Sequence, residues 1–269
     1  FLLILGLPIM TMEFAVGRAS QKSPVKAYYA LEKPGQKWHI HGYITLIGCY
    51  LLMMFYTTVA GWMLHYFYLT ATGKFTGLDS DAVASQFNTM LSQPQVMGFW
   101  MVIIVIAGIL VCSIGLQNGL EKVTKVMMIS LLFIMVILAI NSFFMDGAKE
   151  GLSFYLIPDF ERMKEIGIIK TITGAMNQAF FTLSLGIGAM SIFGSYIGKE
   201  RSLLGESLNI ALLDTFVAIT SGLIIFPACF TFHVDQTSGP GLIFITLPNI
   251  FNILRIYVLC RIFHDSCRI

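Results

Sequence analysis

The chain has 269 residues and a formal net charge of +2, and 56% of its residues are hydrophobic while only 12% are charged. A soluble domain carries about a quarter charged residues, so this composition excludes water as the main surroundings and indicates a lipid bilayer. The five cysteines show no CxxC pair and no metal-site spacing, and we interpret them as small packing residues within apolar segments.

Hydropathy predicts six membrane-spanning helices, each with close to the roughly 20 apolar residues that cross a bilayer. In chain order, the predicted spans cover about residues 1–17, 41–69, 96–115, 123–145, 168–197 and 206–232. The stretch 240–251 follows "DQTSGPG" and is too short to cross the bilayer. We therefore predict that it forms a helix of an outer loop.

The two ends of the chain are unusual. The chain begins with "FLLILGLPIMTMEF", inside an apolar run and without a methionine, which suggests a fragment. Residues 253–269 place Arg255, Arg261 and Arg268 among apolar residues. We interpret this atypical tail either as an interfacial amphipathic segment or as a frameshifted end of the reading frame.

The charges of the connecting segments predict the orientation of the spans. Three connections are basic: "GRASQKSPVKAYYALEKPGQKWH", "GLEKVTK" and "GKERS". They alternate with connections that are mixed or acidic, such as "DGAKEGLSFYLIPDFERMKE". Because basic loops stay on the cytoplasmic side, the first span is predicted to enter from outside and to end inside near Arg18.

The fifth predicted span contains "TLSLGIG" at its centre, with Thr182, Ser184, Gly186 and Gly188 close together. Glycine costs about 1 kcal/mol in a helix relative to alanine, and serine and threonine offer the backbone other hydrogen bonds. One interpretation is a discontinuous helix that lines a polar cavity at mid-membrane. The other is a continuous helix whose small residues pack closely against a neighbour.

Asp214 lies inside the sixth predicted span, in "NIALLDTFVAITSGLIIF". An ionised carboxylate there costs at least about 2.5 kcal/mol, so Asp214 is expected to be protonated, paired or bound to a cation. Hard cations such as Na⁺ prefer oxygen ligands. The alternative is a structural hydrogen bond near the cytoplasmic end of the span.

Two further polar residues lie within predicted spans. We interpret Glu13 as a structural acid near the membrane surface, with Arg18 as its candidate partner. Tyr56 lies near the middle of the second span, where its hydroxyl needs either a substrate carboxylate or a neighbouring carbonyl as partner.

No catalytic pattern is visible in the sequence. The chain contains no GxSxG, HExxH or Walker motif, and its histidines do not form a metal-site pattern. An intramembrane aspartyl protease would need two facing acids, and only Asp214 lies deep enough. The sequence therefore predicts neither an enzyme nor a nucleic-acid partner.

Four segments resemble signatures of the neurotransmitter:sodium symporter family. They are "LGLPIMTMEFAVGR", "IPDFERM", "NQAFFTLSLGIGAMSIFGSY" and "GLIFITLPNIF", and the resemblance extends over about residues 1–252. It implies an all-α polytopic membrane protein with part of the LeuT-type inverted-repeat transporter fold. The six spans would be helices two to seven of twelve, and the helix would be discontinuous near residues 182–188.

The resemblance also implies which residues bind the substrate. Tyr56 matches the tyrosine that bonds the substrate carboxylate, and Phe181 matches the aromatic lid over the substrate. Ser184, Ile187 and Leu52 match residues that line the pocket for the substrate side chain.

A second set of residues is implied for ions and gating. Thr182 matches a residue that contacts both the substrate and the first sodium ion, and Asp214 matches a sodium ligand that is Asn in many relatives. Gln178 matches the position that holds chloride in chloride-dependent relatives, and Tyr196 matches a tyrosine of the inner gate. Because the carboxylate of Asp214 would itself supply a negative charge, we expect transport without chloride.

The predicted function is therefore symport of an amino acid with Na⁺, by alternating access across the plasma membrane of a prokaryote. No organic cofactor is expected, the bilayer is the expected surroundings, and the sequence leaves the oligomeric state open. Two alternatives remain: a non-transporting membrane fragment or pseudogene product, and a proton-coupled carrier that uses Asp214. The fragment on its own is expected to be inactive, since half of each family site lies in helices outside it.

Overall fold

The computed structural model describes residues 1–75, 77–115, 120–233, 243–245 and 248. Its secondary structure, within these residues, is entirely helical. A π-helical turn, Leu2–Gly6, leads into the first of eleven α-helices. In chain order the described helices are α1 (Leu7–Ser20), α2 (Pro24–Leu31), α3 (His39–Ala71), α4 (Ser80–Leu91), α5 (Pro94–Ser113), α6 (Glu121–Ser142), α7 (Ala148–Leu156), α8 (Phe160–Ile166), α9 (Ile168–Thr182), α10 (Ala189–Gly194) and α11 (Leu203–Phe232). Most of the predicted outer-loop helix 240–251 and all of the tail 253–269 lie outside the described residues.

Within the part of the chain that the structure describes, five helical segments are long and apolar enough to cross a membrane. They are Leu2–Ser20, His39–Ala71, Pro94–Ser113, Glu121–Ser142 and Leu203–Phe232. The remaining predicted span, 168–197, is divided into α9 and α10. The prediction of an all-α polytopic protein with a discontinuous helix near residues 182–188 is therefore confirmed.

One compact unit consists of residues 1–54 and 159–218. Its core forms around Met10 and Phe14 of α1, which are almost completely buried. These two side chains pack with buried residues of the 183–188 segment and of α11, namely Leu183, Leu185, Leu203 and Ala211. Burying apolar side chains of this size stabilises the unit by roughly 1.5–3 kcal/mol each.

Helices α1 and α10 of this unit cross at very short distance. A Cβ atom on Gly17 would collide with the backbone of Ser191, and one on Gly194 would collide with the backbone of Phe14. Small residues at such crossings let two helix backbones approach closely in a membrane. Nearer the start of α1, the Thr11 hydroxyl donates to Ser207 Oγ of α11 over 3.0 Å.

The second compact unit consists of residues 55–158 and 219–269, of which the ranges given above are described. An aromatic cluster joins the end of α3 to α4. The cluster contains Tyr66, Leu69, Phe75, Val83, Phe87, Met90 and Phe244. Helix α4 contributes residues 83, 87 and 90, whose spacing places them on one helical face.

The same unit holds α7 tightly against α11. Cβ atoms on Gly147 and Gly151 would collide with the backbone around Thr231 and Pro227, respectively. The Gly147 N–H donates to Thr231 Oγ1 over 3.1 Å. Glycines four residues apart on α7 therefore allow backbone contact with α11, including at its internal proline.

Candidate functional site

The candidate site is the interruption between α9 and α10. Helix α9 ends at Thr182 and α10 begins at Ala189, and three residues between them have left-handed backbone angles. Their φ values are +52° at Ser184, +82° at Gly186 and +73° at Gly188. The left-handed region costs an L-residue roughly 1–2 kcal/mol but costs glycine almost nothing. The two glycines therefore explain most of the interruption, and Ser184 is its strained position.

Two leucines anchor the interrupted segment. Leu183 and Leu185 alternate with the exposed or half-buried residues of the segment, and both are buried against α1. The Leu185 N–H donates to the Phe180 carbonyl over 3.0 Å, and the Ser184 N–H donates to the Phe181 carbonyl over 3.1 Å. The chain thus leaves the helix through tight turns while its apolar side chains stay in the core.

The interruption releases backbone acceptors. Among the described residues, the carbonyls from 182 to 187 accept no hydrogen bond, and the next backbone acceptor along the chain is Gly188, which accepts from the Ile192 N–H over 3.0 Å. Unpaired carbonyls inside a membrane protein are tolerated where they line a cavity or bind a ligand. The segment therefore offers oxygen ligands to a cation.

Asp214 of α11 reaches the first residue of the interruption. The Thr182 hydroxyl lies 2.8 Å from Asp214 Oδ2 and 3.1 Å from Oδ1, so it donates to the carboxylate. Thr182 and Asp214 were both predicted as sodium ligands, and the structure brings them into contact. A carboxylate, a hydroxyl and nearby free carbonyls form an all-oxygen donor set of the kind that hard cations prefer.

A second acid, Glu13 of α1, supports the interruption farther along. Glu13 Oε1 accepts a hydrogen bond of 2.7 Å from the Gly186 N–H. The expected partnership of Glu13 with Arg18 is wrong, because Arg18 instead donates to the Arg201 carbonyl over 2.8 Å. An acid inside a span is a candidate functional residue by default. This rule could have marked Glu13 from the sequence as a candidate residue of the site.

Glu13 contacts the interruption at Gly186, and Thr45 lies against Gly188. Glu13 Oε2 and Thr45 Oγ1 are buried and, within the described residues, have no hydrogen-bond partner. Thr45 also limits the interruption sterically, because its Cγ2 atom lies 2.6 Å from where a Cβ on Gly188 would be. Burial and the charge of Glu13 raise the pKa of Tyr28 in α2. Sequence reasoning missed Thr45, which no local pattern distinguishes from other threonines.

The other predicted binding residues differ in position. Ile187 lies in the interruption, and its Cγ2 is 4.0 Å from where a Cβ on Gly48 of α3 would be. Leu52 is half-buried farther along α3, and Phe181, in the last turn of α9, is exposed. Tyr56 belongs to the other compact unit, and its role as a substrate ligand stays a prediction from the resemblance.

The residues predicted for chloride and gating lie on the surface. Gln178 is exposed in α9, and Tyr196 is exposed two residues beyond the end of α10. Within the described residues, no hydrogen bond joins either side chain to Thr182 or Asp214. Their predicted roles remain untested.

The described part of the chain contains no group of three or more His, Cys, Asp or Glu side chains that could hold a metal ion. The donor set at Thr182 and Asp214 suits an alkali cation, for which hydroxyl and carbonyl oxygens are sufficient ligands.

Comparison with known sequences identifies the family. Residues 81–264 match the sequence profile described as the sodium:neurotransmitter symporter family. A sodium-dependent transporter of Bacillus subtilis, YhdH, is 34% identical over 252 residues, which cover 93% of this chain and 54% of that protein. A sodium-dependent transporter of Haemophilus influenzae is 28% identical over 260 residues, covering 93% of this chain and 56% of that protein. The chain thus spans about half the length of these relatives.

Solved structures show the same relationship. The crystal structure of MhsT in complex with L-phenylalanine superposes with a TM-score of 0.86 at 37% sequence identity, covering 94% of this chain and 56% of that one. These similar proteins are transporters and not enzymes. The long apolar helices indicate a multi-pass membrane protein, and these two sodium-dependent relatives are bacterial. By sequence and by fold, the chain belongs to the sodium:neurotransmitter symporter family.

Proposed function

We propose that this chain serves the sodium-coupled uptake of a neutral amino acid by alternating access. The contact between Thr182 and Asp214 at the end of the interrupted helix is the observation that carries the proposal. It joins two residues that are 32 positions apart and that the family resemblance independently assigns to sodium.

The sodium ion would bind where negative charge and free oxygen atoms coincide. Asp214 supplies the charge, and Thr182 and the unpaired carbonyls of the interruption supply further oxygen atoms. Burying a carboxylate without a cation is costly, so Na⁺ binding stabilises this arrangement. Sodium would therefore order the segment that also contacts the substrate, which couples the two binding events.

Similar proteins support an amino-acid substrate. MhsT is solved with L-phenylalanine, and the mouse protein B(0)AT2, 23% identical over 84% of this chain and 34% of its own length, is named a neutral amino acid transporter. The side chains of Ile187 and Leu52 are apolar, which favours a substrate with an apolar side chain. The free carbonyls of the interruption would accept hydrogen bonds from the polar part of the substrate.

Transport is proposed to be independent of chloride. Relatives with Asn at the position of Asp214 need another anion near the sodium ion, whereas here the carboxylate already provides the charge. The proposed charge balance involves only the Asp214 carboxylate and the sodium ion, so chloride would add nothing to it.

The test is uptake of radiolabelled phenylalanine or leucine, in liposomes, by the longer transporter of which this chain is expected to be a fragment. We expect accumulation with an inward sodium gradient, none with potassium, and no change when gluconate replaces chloride. Asp214→Ala should abolish sodium-dependent uptake. Asp214→Asn should either weaken uptake at least tenfold or make it require chloride. Strict chloride dependence of the unchanged protein would contradict the charge-balance argument.

The same experiment separates the two alternatives. Uptake driven by a pH gradient in the absence of sodium would indicate a proton-coupled carrier that uses Asp214. A folded protein that binds no amino acid at any sodium concentration would indicate a non-transporting fragment. Folding is checked by the helical circular dichroism signal and by a single thermal transition.

A further inference from the structure

The segment between α1 and α3 presents a basic and aromatic surface. Four lysines of this segment are exposed and, within the described residues, none of them forms an ion pair: Lys22, Lys26, Lys33 and Lys37. Two large aromatic side chains are exposed among them, Tyr29 at 49% and Trp38 at 58%. We call these six residues the basic aromatic surface.

The fold removes the one acid of this segment from the surface. Glu32 Oε1 lies 2.9 Å from His39 Nδ1, and Glu32 Oε2 accepts from the His39 backbone N–H over 3.0 Å. Only 13% of the Glu32 side chain is exposed. Tyr29 stacks on the His39 ring at a centroid distance of 4.5 Å. The negative charge is thus held inside a small cluster while the lysine charges face outward.

The position of the segment relative to the two adjoining spans is also defined. One candidate span ends at Ser20 and the next begins at His39, so the segment connects two neighbouring spans on one side of the predicted topology. Helix α2 lies within it and buries Ala27 toward the protein, while Lys26 and Tyr29 are exposed. Lysines within about a Debye length of lipid headgroups, roughly 8 Å at physiological salt, are attracted by anionic lipids. The positive-inside rule places this side in the cytoplasm.

We propose that the basic aromatic surface binds the headgroups of anionic phospholipids in the cytoplasmic leaflet. Clusters of lysines next to a membrane span attract anionic lipids, and tyrosine and tryptophan rings favour the boundary between headgroups and acyl chains. An acidic protein partner would need the charges but not the exposed aromatic rings at the bilayer surface. The lipid therefore accounts for both features, and the surface acts independently of sodium and of the proposed transport.

Trp38 provides a direct probe of this surface. The chain contains three tryptophans, so the substitutions Trp62→Phe and Trp100→Phe leave Trp38 as the only source of tryptophan fluorescence. The chain is reconstituted in phosphatidylcholine bilayers that contain a small fraction of brominated phosphatidylglycerol or, in parallel, brominated phosphatidylcholine. We expect the anionic lipid to quench Trp38 about three- to tenfold more effectively at low salt and almost equally at 0.5 M NaCl.

Two matched variants test the role of the charges. Lys26→Gln with Lys33→Gln removes two charges from the surface and should lower the quenching ratio by at least half. Lys164→Gln with Lys170→Gln removes two exposed charges on the other side of the predicted topology and should leave the ratio unchanged. Changing all four surface lysines to glutamine should reduce the ratio to about one.

A second measurement guards against misfolding of the tryptophan variants. Native mass spectrometry of the unmodified chain, released from bilayers with equal phosphatidylglycerol and phosphatidylcholine, should show preferential retention of the anionic lipid. That preference should be lost in the four-lysine variant. Equal retention of both lipids by the unmodified chain, or a preference that survives removal of all four lysines, would overturn the proposal.

Discussion

The 183–188 segment and helix α11 both contain residues that disfavour a helix, but only the 183–188 segment is interrupted. Helix α11 continues through Pro227, whereas the 183–188 segment contains no proline and still interrupts its helix. A proline removes one N–H donor and therefore one hydrogen bond from a helix. Three left-handed residues, Ser184, Gly186 and Gly188, instead redirect the backbone itself.

The difference shows that tertiary contacts decide whether a weak point becomes an interruption. In α11, the flanking turns are held by α7, whose Gly151 allows backbone contact at Pro227. In the 183–188 segment, buried leucines pack against α1 and the Gly186 N–H donates to Glu13, and these contacts stabilise the open backbone. A helix in a membrane opens where new tertiary contacts stabilise the opened segment and its free carbonyls can bind a ligand, and it stays closed where its neighbours hold it.

The largest effect on stability is expected from Gly188→Ala. The new Cβ would meet Thr45 Cγ2 at 2.6 Å, and the φ of +73° is unfavourable for alanine. Strain and overpacking together should destabilise the protein by about 2–4 kcal/mol. Thermal unfolding in detergent, followed by circular dichroism, measures this change.

Gly186→Ala is the matched control. Its φ of +82° is also left-handed, but nothing lies within 4 Å of the new Cβ. Only the strain remains, which should cost about 1–2 kcal/mol. Equal losses for the two variants would show that the contact with Thr45 contributes nothing.

Gly151→Ala probes the contact that holds α11. A Cβ would lie 2.5 Å from the backbone nitrogen of Pro227, and the expected loss is about 1–3 kcal/mol because one of the two backbones must move. Gly108→Ala in α5 is the control, since nothing lies within 4 Å of its Cβ, and it should be neutral or stabilising. The same melting experiment compares the two, and equal midpoints would refute the close packing of α7 on α11.

A smaller effect is expected from Glu13→Ala. It removes the acceptor of the Gly186 N–H, but Gly186 is exposed and its amide can find another partner. We expect a loss of about 1 kcal/mol in thermal unfolding. Glu13→Gln keeps an acceptor oxygen and should lose less. A glutamine variant as unstable as the alanine variant would show that the charge matters more than the hydrogen bond.

The smallest effect concerns Glu32, an acid outside the membrane spans. Burial would raise its pKa, but hydrogen bonds from His39 and the His39 charge outweigh burial and lower it. A lowered pKa stabilises the folded state above the unfolded value of 4.5, and this stabilisation disappears as the pH falls through the lower folded value. Between pH 6 and pH 3, the melting temperature of the unchanged protein should therefore decrease slightly more than that of Glu32→Gln. Identical losses in the two proteins would contradict the shift.

Much of the architecture was predictable from local sequence. Hydropathy located the long apolar helices, because about 20 apolar residues suffice to cross a bilayer wherever they occur. The two glycines and Ser184 marked the interruption, because left-handed backbone depends on the residues at those positions. The sequence by itself left a continuous helix open as an alternative, and the structure excluded it.

The partners of the site were decided by the tertiary structure alone. Glu13 and Gly186 are 173 positions apart, and no local pattern distinguishes the Gly186 amide from Arg18 as partner of Glu13. The contact of Thr182 with Asp214 likewise depends on how α9 and α11 pack. Local sequence determines which backbone conformations are low in free energy. Hydrogen bonds between distant residues, in contrast, exist only after the helices have packed.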